Sequence, residues 1–380
     1  MATTTPFYQW SVPTSSDLVK NGATAIETLG DSVDDSLWNS GFGQAGKNKI
    51  MNSDLTINQR SFTSTTATAY GFDRFNNVIG GGTGTATFSA QTFTAGTAPV
   101  AGYEGANYLR IVTTGQSATS TITRLQQSIE NVRTFAGQTA TFSFWAKAAT
   151  GTPSISLELS QNYGTGGSPS TQINIVGGNV AITTLWARYS VTVAVPSLTG
   201  KTLGTTANTS ALDFRLWFSA GSDFNARTGS LGIQSNTFEV WGFQAEYGSK
   251  ATPFQTASGG SPQAELAMCQ RYYYRITSGG TGYRFGMIAC DSVTLGESVI
   301  PFPVQMRIAP TALEQSGTAT DYSIRTAGAS IAGSAVPTWL AANTFNASVN
   351  QAVAAGLIAG AAGTFRPANT NAYLGWSAEL

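Results

Sequence analysis

Five segments of this 380-residue chain alternate apolar and polar side chains. In 139–146, Phe142, Phe144 and Ala146 fall on one side and Trp145 on the other, with Lys147 just beyond. In 154–159, Ile155, Leu157 and Leu159 oppose Glu158; in 188–195, Tyr189, Val191, Val193 and Val195 oppose Ser190, Thr192 and Ala194. In 212–218, Leu212, Phe214, Leu216 and Phe218 oppose Arg215 and Trp217; in 237–245, Phe238 and Val240 oppose Glu239, Trp241 and Phe243. A period of two sends successive side chains to opposite faces of a strand. Each strand therefore buries one face, as two packed antiparallel sheets require. Gly80-Gly-Gly, Gly164-Thr-Gly-Gly and Gly177-Gly178 supply turns between the runs. About eight strands over 51–258 predict a jelly-roll β-sandwich.

The flanks differ. In 1–50, an extended stretch over 6–13 precedes Ser15, Ser16 and Asp17, which suit a helix N-cap. Val19, Ile26, Leu29, Val33 and Leu37 follow at three-to-four spacing. That pattern fits an ordinary amphipathic helix or a short three-stranded helical stub joining three copies. A Gly-Gly-Ser-Pro joint at 259–262 and a brief helical turn at 263–268 then open a third region, 263–380. Strands are expected there near 272–275, 286–289, 299–306, 322–326, 344–349 and 373–378. Pro301 and Pro303 make the 299–306 strand an edge or bulged one. The fold class expected is thus mainly β: a short N-terminal helix, a jelly-roll sandwich and a second, smaller C-terminal β-sandwich.

Composition narrows the chemistry. Lys plus Arg and Asp plus Glu each number 20, so the formal charge is zero and a phosphate backbone meets no basic field. Histidine is absent, which removes the usual general base and the commonest metal ligand. Cys269 and Cys290 are too few for a zinc site or a disulfide framework; they read as buried thiols, or as one disulfide. No run approaches a membrane span, and the N-terminus lacks the basic and apolar regions of a secretory signal. A chain made in a host cytoplasm and released by lysis is the expectation. No enzyme activity, no catalytic residue, no metal and no cofactor is expected.

One binding face stands out. If the strands at 139–146, 154–159, 212–218 and 237–245 share a sheet, its outer face displays Trp145, Glu158, Arg215, Trp217, Glu239 and Trp241. Flat aromatics stack on the apolar faces of sugars, and carboxylate and guanidinium groups bond their hydroxyls. The same residues suit a face packed against a neighbouring subunit or the other sheet. Glu158 and Glu239 are also the natural pair for glycoside hydrolysis, which needs carboxylates about 5–9 Å apart. Gly221-Ser-Asp223-Phe-Asn225 reads as a turn, with a cation loop as the alternative.

Three regions carry a family resemblance. The first is the N-terminal stretch Tyr8-Gln-Trp-Ser-Val-Pro-Thr-Ser-Ser-Asp17 and its continuation to Gly30. The second includes Asn58-Gln-Arg60, Tyr70-Gly-Phe-Asp-Arg74, the run from Gln127 to Gln138, Ser143-Phe-Trp-Ala-Lys147 and Trp186-Ala-Arg-Tyr-Ser190. The third is the junction, Glu246-Tyr-Gly-Ser-Lys-Ala-Thr-Pro-Phe254 with Glu265-Leu-Ala-Met-Cys-Gln-Arg-Tyr-Tyr-Tyr-Arg275. Together they resemble bacteriophage tail-fibre and related virion attachment proteins carrying a carbohydrate-binding-like jelly roll. The resemblance implies a homotrimer on the virion, held to the tail or another virion protein through 1–50, with a C-terminal tip and a host-surface glycan as ligand. A purely architectural capsid-decoration or tail-assembly role and a polysaccharide-degrading tailspike are the alternatives. Nucleic acid and membrane insertion are not expected.

Overall fold

The computed structural model describes residues 3–4, 10–12, 21–39, 46–100, 103–280 and 282–380. Near the N-terminus, β1 (Thr3–Thr4) pairs with β2 (Ser11–Val12), and the three-to-four spacing forms helix α1 (Gly22–Asn39). Trp10 Nε1 donates to Ser36 Oγ at 2.6 Å, tying the helix to the preceding segment. The proposed N-cap at 15–17 and Val19 lie outside the described residues.

The alternating runs form strands of a twelve-stranded sandwich. Its strands are β3 (Ser64–Thr65), β4 (Ala69–Tyr70), β5 (Asn76–Gly80), β6 (Thr85–Thr92), β7 (Asn107–Thr114), β8 (Ile122–Ile129) and β9 (Thr139–Ala148). They continue with β10 (Ser154–Asn162), β11 (Ile173–Ala181), β12 (Ala187–Ala194), β13 (Ala211–Ala220) and β14 (Asn236–Tyr247), and a single turn of helix, α2 (Asn225–Thr228), lies between the last two. One sheet has the order β11-β10-β13-β8-β5-β4 and the other β12-β9-β14-β7-β6-β3, all pairs antiparallel. Phe142, Phe144, Leu157, Leu159, Phe214, Leu216, Phe238 and Val240 meet between the sheets as the alternation requires. Phe142 and Phe214 stack across the gap at 5.9 Å.

One side chain breaks the pattern. Phe243, expected outward beside Trp241, lies in the core with Ala245. The register of β14 against β9 shifts between Trp241 and Gln244, and Gly242 there takes φ +66. This bulge inserts a residue, so every side chain after it changes face.

Helix α3 (Pro262–Gln270) opens the C-terminal module, with Ser261 as N-cap and Pro262 in the first turn. A three-stranded sheet follows in the order β15-β24-β18, from β15 (Tyr273–Thr277), β18 (Glu314–Gln315) and β24 (Tyr373–Ser377). A seven-stranded sheet holds β16 (Gly286–Cys290), β17 (Leu295–Pro301), β19 (Tyr322–Thr326), β20 (Ala329–Ala332), β21 (Thr338–Ala342), β22 (Asn346–Ala352) and β23 (Ala362–Pro367). Its order is β20-β19-β23-β16-β17-β22-β21. Ile288, Ile300, Ile324, Val349, Phe365, Leu374 and Trp376 share one core. The strand expected at 299–306 as an edge is instead β17, an interior strand: it begins earlier and ends at Pro301, so the prolines terminate it rather than interrupt it.

The Gly-Gly-Ser-Pro segment is pinned. Buried Glu265 accepts the backbone N–H groups of Asn52 at 2.5 Å and Ser258 at 2.9 Å. Arg271 forks onto Glu130 at 2.9 and 3.0 Å, and Tyr272 donates to the same carboxylate at 2.7 Å. Burial alone would raise the Glu130 carboxyl, but these bonds hold it below its ordinary value.

Candidate functional site

The six residues expected on one outer face fall into two groups. β9 and β14 lie in one sheet, β10 and β13 in the other. Trp145, Glu239 and Trp241 therefore face outward on one side of the sandwich, and Glu158, Arg215 and Trp217 on the other. Glu158 and Glu239 point away from each other across two sheets and form no hydrolytic pair.

The Glu158 group is closed. Glu158 and Trp217 are both fully buried. The carboxylate accepts Trp217 Nε1 at 2.8 Å, Arg227 Nε at 2.7 Å and Arg227 Nη2 at 3.1 Å, with Arg215 Nη1 at 3.4 Å and Arg124 Nη1 at 4.0 Å. Arg215 also bonds Asp213 at 2.6 Å and Gln126 at 3.1 Å. Arg124 and Arg227 sit 4.9 and 5.2 Å from the Trp217 ring, and Phe224 lies 5.3 Å from it. No ring face is left on Trp217 for a sugar. The arrangement satisfies its own charges and holds α2 against the sheet.

The opposite face is covered at one end and open at the other. Trp145 and Trp241 pack together at 5.6 Å beneath Phe93, Tyr103 and Phe254. Beyond them the sheet surfaces. Glu239 stands opposite Arg110 on β7 and Lys147 on β9. Arg110 Nε and Nη2 donate to Glu239 Oε1 at 2.8 and 2.5 Å, and Lys147 Nζ lies 2.8 Å from Oε2. Side-chain exposure is 36% for Arg110 and 33% for Lys147, so both cations reach solvent while Glu239, at 8%, does not. Partial burial would lower the Arg110 guanidinium, but the hydrogen bond and charge of Glu239 raise it overall.

Beside this ionic row, Tyr108 and Trp186 meet edge to face at 5.7 Å, both half-buried. Lys147 sits 5.5 Å from the Trp186 ring. The next row along the same face, Thr237 opposite Val112, floors a shallow groove of about 270 Å³ rimmed by Thr113, Thr114, Thr150 and Asn236. Two amphipathic rings, three charges and a hydroxyl- and amide-lined groove thus share one open strip. Sequence reasoning placed Glu239 there and missed Tyr108, Arg110 and Trp186. The alternation of Tyr108, Arg110 and Val112 against Leu109 and Ile111 was the available signal for the first two.

Other candidates resolve simply. Asp223 accepts the Thr119 hydroxyl at 3.3 Å, and among the described residues no cluster of acids and thiols could hold a metal. Cys269 and Cys290 are free and buried, and burial pushes both thiols up. Among the described residues no helix is long and apolar enough to cross a membrane.

The protein is a mainly β chain, a jelly-roll sandwich joined to a smaller β module. No family model and no curated protein matches it. Solved structures align with about half of the chain. The CBM22-2 xylan-binding domain of Paenibacillus barcinonensis Xyn10C is 14% identical, covering 49% of this chain and 98% of that one at a TM-score of 0.30. A putative sugar-binding protein of Bacteroides thetaiotaomicron is 11% identical, covering 53% and 100%, also at 0.30. The family 11 carbohydrate-binding module of Clostridium thermocellum, in complex with a mixed-linked tetrasaccharide, is 12% identical, covering 50% and 97% at 0.29.

Proposed function

We propose that this chain is a virion-displayed attachment protein, a tail fibre, whose jelly roll holds a host-surface glycan along the open strip around Glu239. The observation that supports it is the half-buried Trp186–Tyr108 pair beside the Arg110–Glu239–Lys147 row. A sugar ring would stack on Trp186, and Lys147 and Arg110 would donate to its hydroxyls. Weak sites of this kind reach useful affinity through many copies on one particle.

On the same reading, residues 1–50 join the chain to its copies and to the particle. Ile26 on α1 is 66% exposed, a surface that association into a trimer would cover. Sedimentation of the full chain at three times the monomer mass would agree with this.

The test is glycan-array and host-cell binding by the full chain, with Trp186→Ala and Tyr108→Ala compared at equal fold by circular dichroism. Binding that falls at least tenfold in Trp186→Ala is the expected result. Binding unaffected in both variants removes the site. Binding to no glycan and no host cell favours the architectural role, and shortening of a bound polysaccharide favours the tailspike.

A further inference from the structure

The segment 273–380 contains five cationic side chains, all arginine: Arg275, Arg284, Arg307, Arg325 and Arg366. Two are engaged elsewhere. Arg275 lies over the Tyr373 ring at 3.6 Å and donates to the Arg60 carbonyl at 2.8 Å. Arg307 donates to the carbonyls of Ala378 and Glu379, each at 2.7 Å. Of the other three, Arg325 and Arg366 lie on the outer face of the seven-stranded sheet and Arg284 is exposed just before β16, with no carboxylate in ion-pair range among the described residues.

Strand register brings Arg325 beside Arg366. Ser323 pairs with Arg366 and Arg325 with Thr364. Ile324 and Phe365 face the core, so Ser323, Arg325, Thr364 and Arg366 all face outward. Arg366 Nε donates to Thr364 Oγ1 at 2.7 Å, which leans its guanidinium along the strand toward Arg325. Partial burial and then the charges of Arg284 and Arg325 lower the Arg366 guanidinium from its ordinary value, so all three cations share one field. A cavity of about 560 Å³ opens here, with Ser323, Arg325, Ser330 and Arg366 in its wall. Like charges gathered without a counter-charge are self-repelling, and an anion relieves that repulsion.

We propose that this cavity binds the anionic group, a carboxylate, sulfate or phosphate, of an acidic polysaccharide. The planar fork of arginine matches such groups with paired hydrogen bonds. Ser323 and Ser330 in the wall supply hydroxyls suited to the adjoining sugar. Nucleic acid suits the site less, because a neutral chain offers no basic track beyond these three residues. The site lies in the C-terminal module and is independent of the Trp186 strip.

The experiment uses the full chain with three polymers that separate the sources of negative charge: polygalacturonate, dextran sulfate and polyphosphate, with neutral dextran as control. Calorimetric titration should show binding of at least one acidic polymer, weakened by raising salt from about 50 to 200 mM as exposed charges are screened. Arg325→Gln combined with Arg284→Gln, both at exposed positions, should lower that affinity at least tenfold, while Arg133→Gln, at an exposed position of the sandwich outside both proposed sites, leaves it unchanged. Unaltered affinity in the arginine variant overturns the proposal. So does failure of all three acidic polymers to bind, equal binding of neutral dextran, or tighter binding of a single-stranded oligonucleotide. Should the paired variant melt early, Arg366→Lys keeps the charge and loses the fork, and undiminished binding by it argues against recognition through the guanidinium.

Discussion

Replacing Glu158 by Gln removes one charge from the most enclosed ionic cluster in the sandwich. Two carboxylates, Glu158 and Asp213, there face three guanidinium groups, those of Arg124, Arg215 and Arg227. The cluster's net charge rises from one positive to two. A Gln side chain has one accepting oxygen, so either the Trp217 N–H or the Arg227 fork loses its partner. A buried donor left unsatisfied costs about 1–3 kcal/mol, and breaking a buried ion pair costs about 3–5 kcal/mol. Arg227, with 26% of its side chain exposed, can turn to water, and Arg215 keeps Asp213 and Gln126. These outlets place the loss near the low end, about 3 kcal/mol. Urea denaturation followed by tryptophan fluorescence should show a lower midpoint with an unchanged slope. Arg227→Ala should cost only about 1 kcal/mol, because Glu158 retains Trp217 and Arg215. A Glu158→Gln variant within about 1 kcal/mol of the parent, or an Arg227→Ala variant as costly, would refute the reasoning that enclosed charge holds this face.

Two further perturbations test the fold at single residues. At Gly242, an alanine Cβ would lie 2.7 Å from Trp145 Cε3 on a backbone with φ +66. Strain and overpacking together should cost about 3 kcal/mol in thermal or chemical melting, and a parental melting curve would show that the bulge is not required. Burial pushes the Asp73 carboxyl up from 3.8 to about 6. The folded state then binds the proton more tightly than the unfolded state, so this group's contribution to stability grows as pH falls from about 7 to about 4, by about 1.4 kcal/mol per unit of pKa difference. Asp73→Asn should lose that part of the pH slope, and parallel slopes for the two proteins would contradict it.

The strands were legible because the period of two is written in each segment separately. Which strands share a sheet was not, since pairing is a long-range choice. β9 and β10 are adjacent in sequence yet lie in opposite sheets, because β10 pairs with β11 and β13 while β9 pairs with β12 and β14. That division split the expected six-residue face. Burial was hidden for a related reason. Alternation says that Glu158 and Trp217 leave the core, but not that Arg227, 69 residues from Glu158, arrives on α2 to cover them. Phe243 was misplaced through one glycine, whose left-handed backbone reverses the faces that alternation assigns. Glu239 was placed on the open strip because its strand keeps register up to Trp241. Trp186 escaped notice because it precedes β12 and joins no alternating run.

The junction carries the remaining step. A Gly-Gly-Ser-Pro sequence suggests two modules free to swing, yet the contacts around it are those of a packed interface. Arg74 ion-pairs with Glu379 and lies 3.5 Å from the centre of the Tyr272 ring. Arg60 reaches Asp73 at 3.3 Å and Glu379 at 3.5 Å while covering Tyr273 at 3.5 Å. Arg307 joins the last strand's exit to the Asn208 loop of the sandwich, and the Tyr70 hydroxyl donates to the Leu380 carbonyl at 3.0 Å. Arg74, Asp73 and Glu379 are buried, so these charges are screened little by salt and would be costly to separate. Tyr272 and Tyr273 therefore serve as the floor of the interface rather than as a ligand platform, while Tyr274 packs against Phe302 and Trp376 in the C-terminal core. A fixed junction also bears on the two proposed sites. With the modules held together, the strip around Glu239 and the arginine cavity keep a constant spacing.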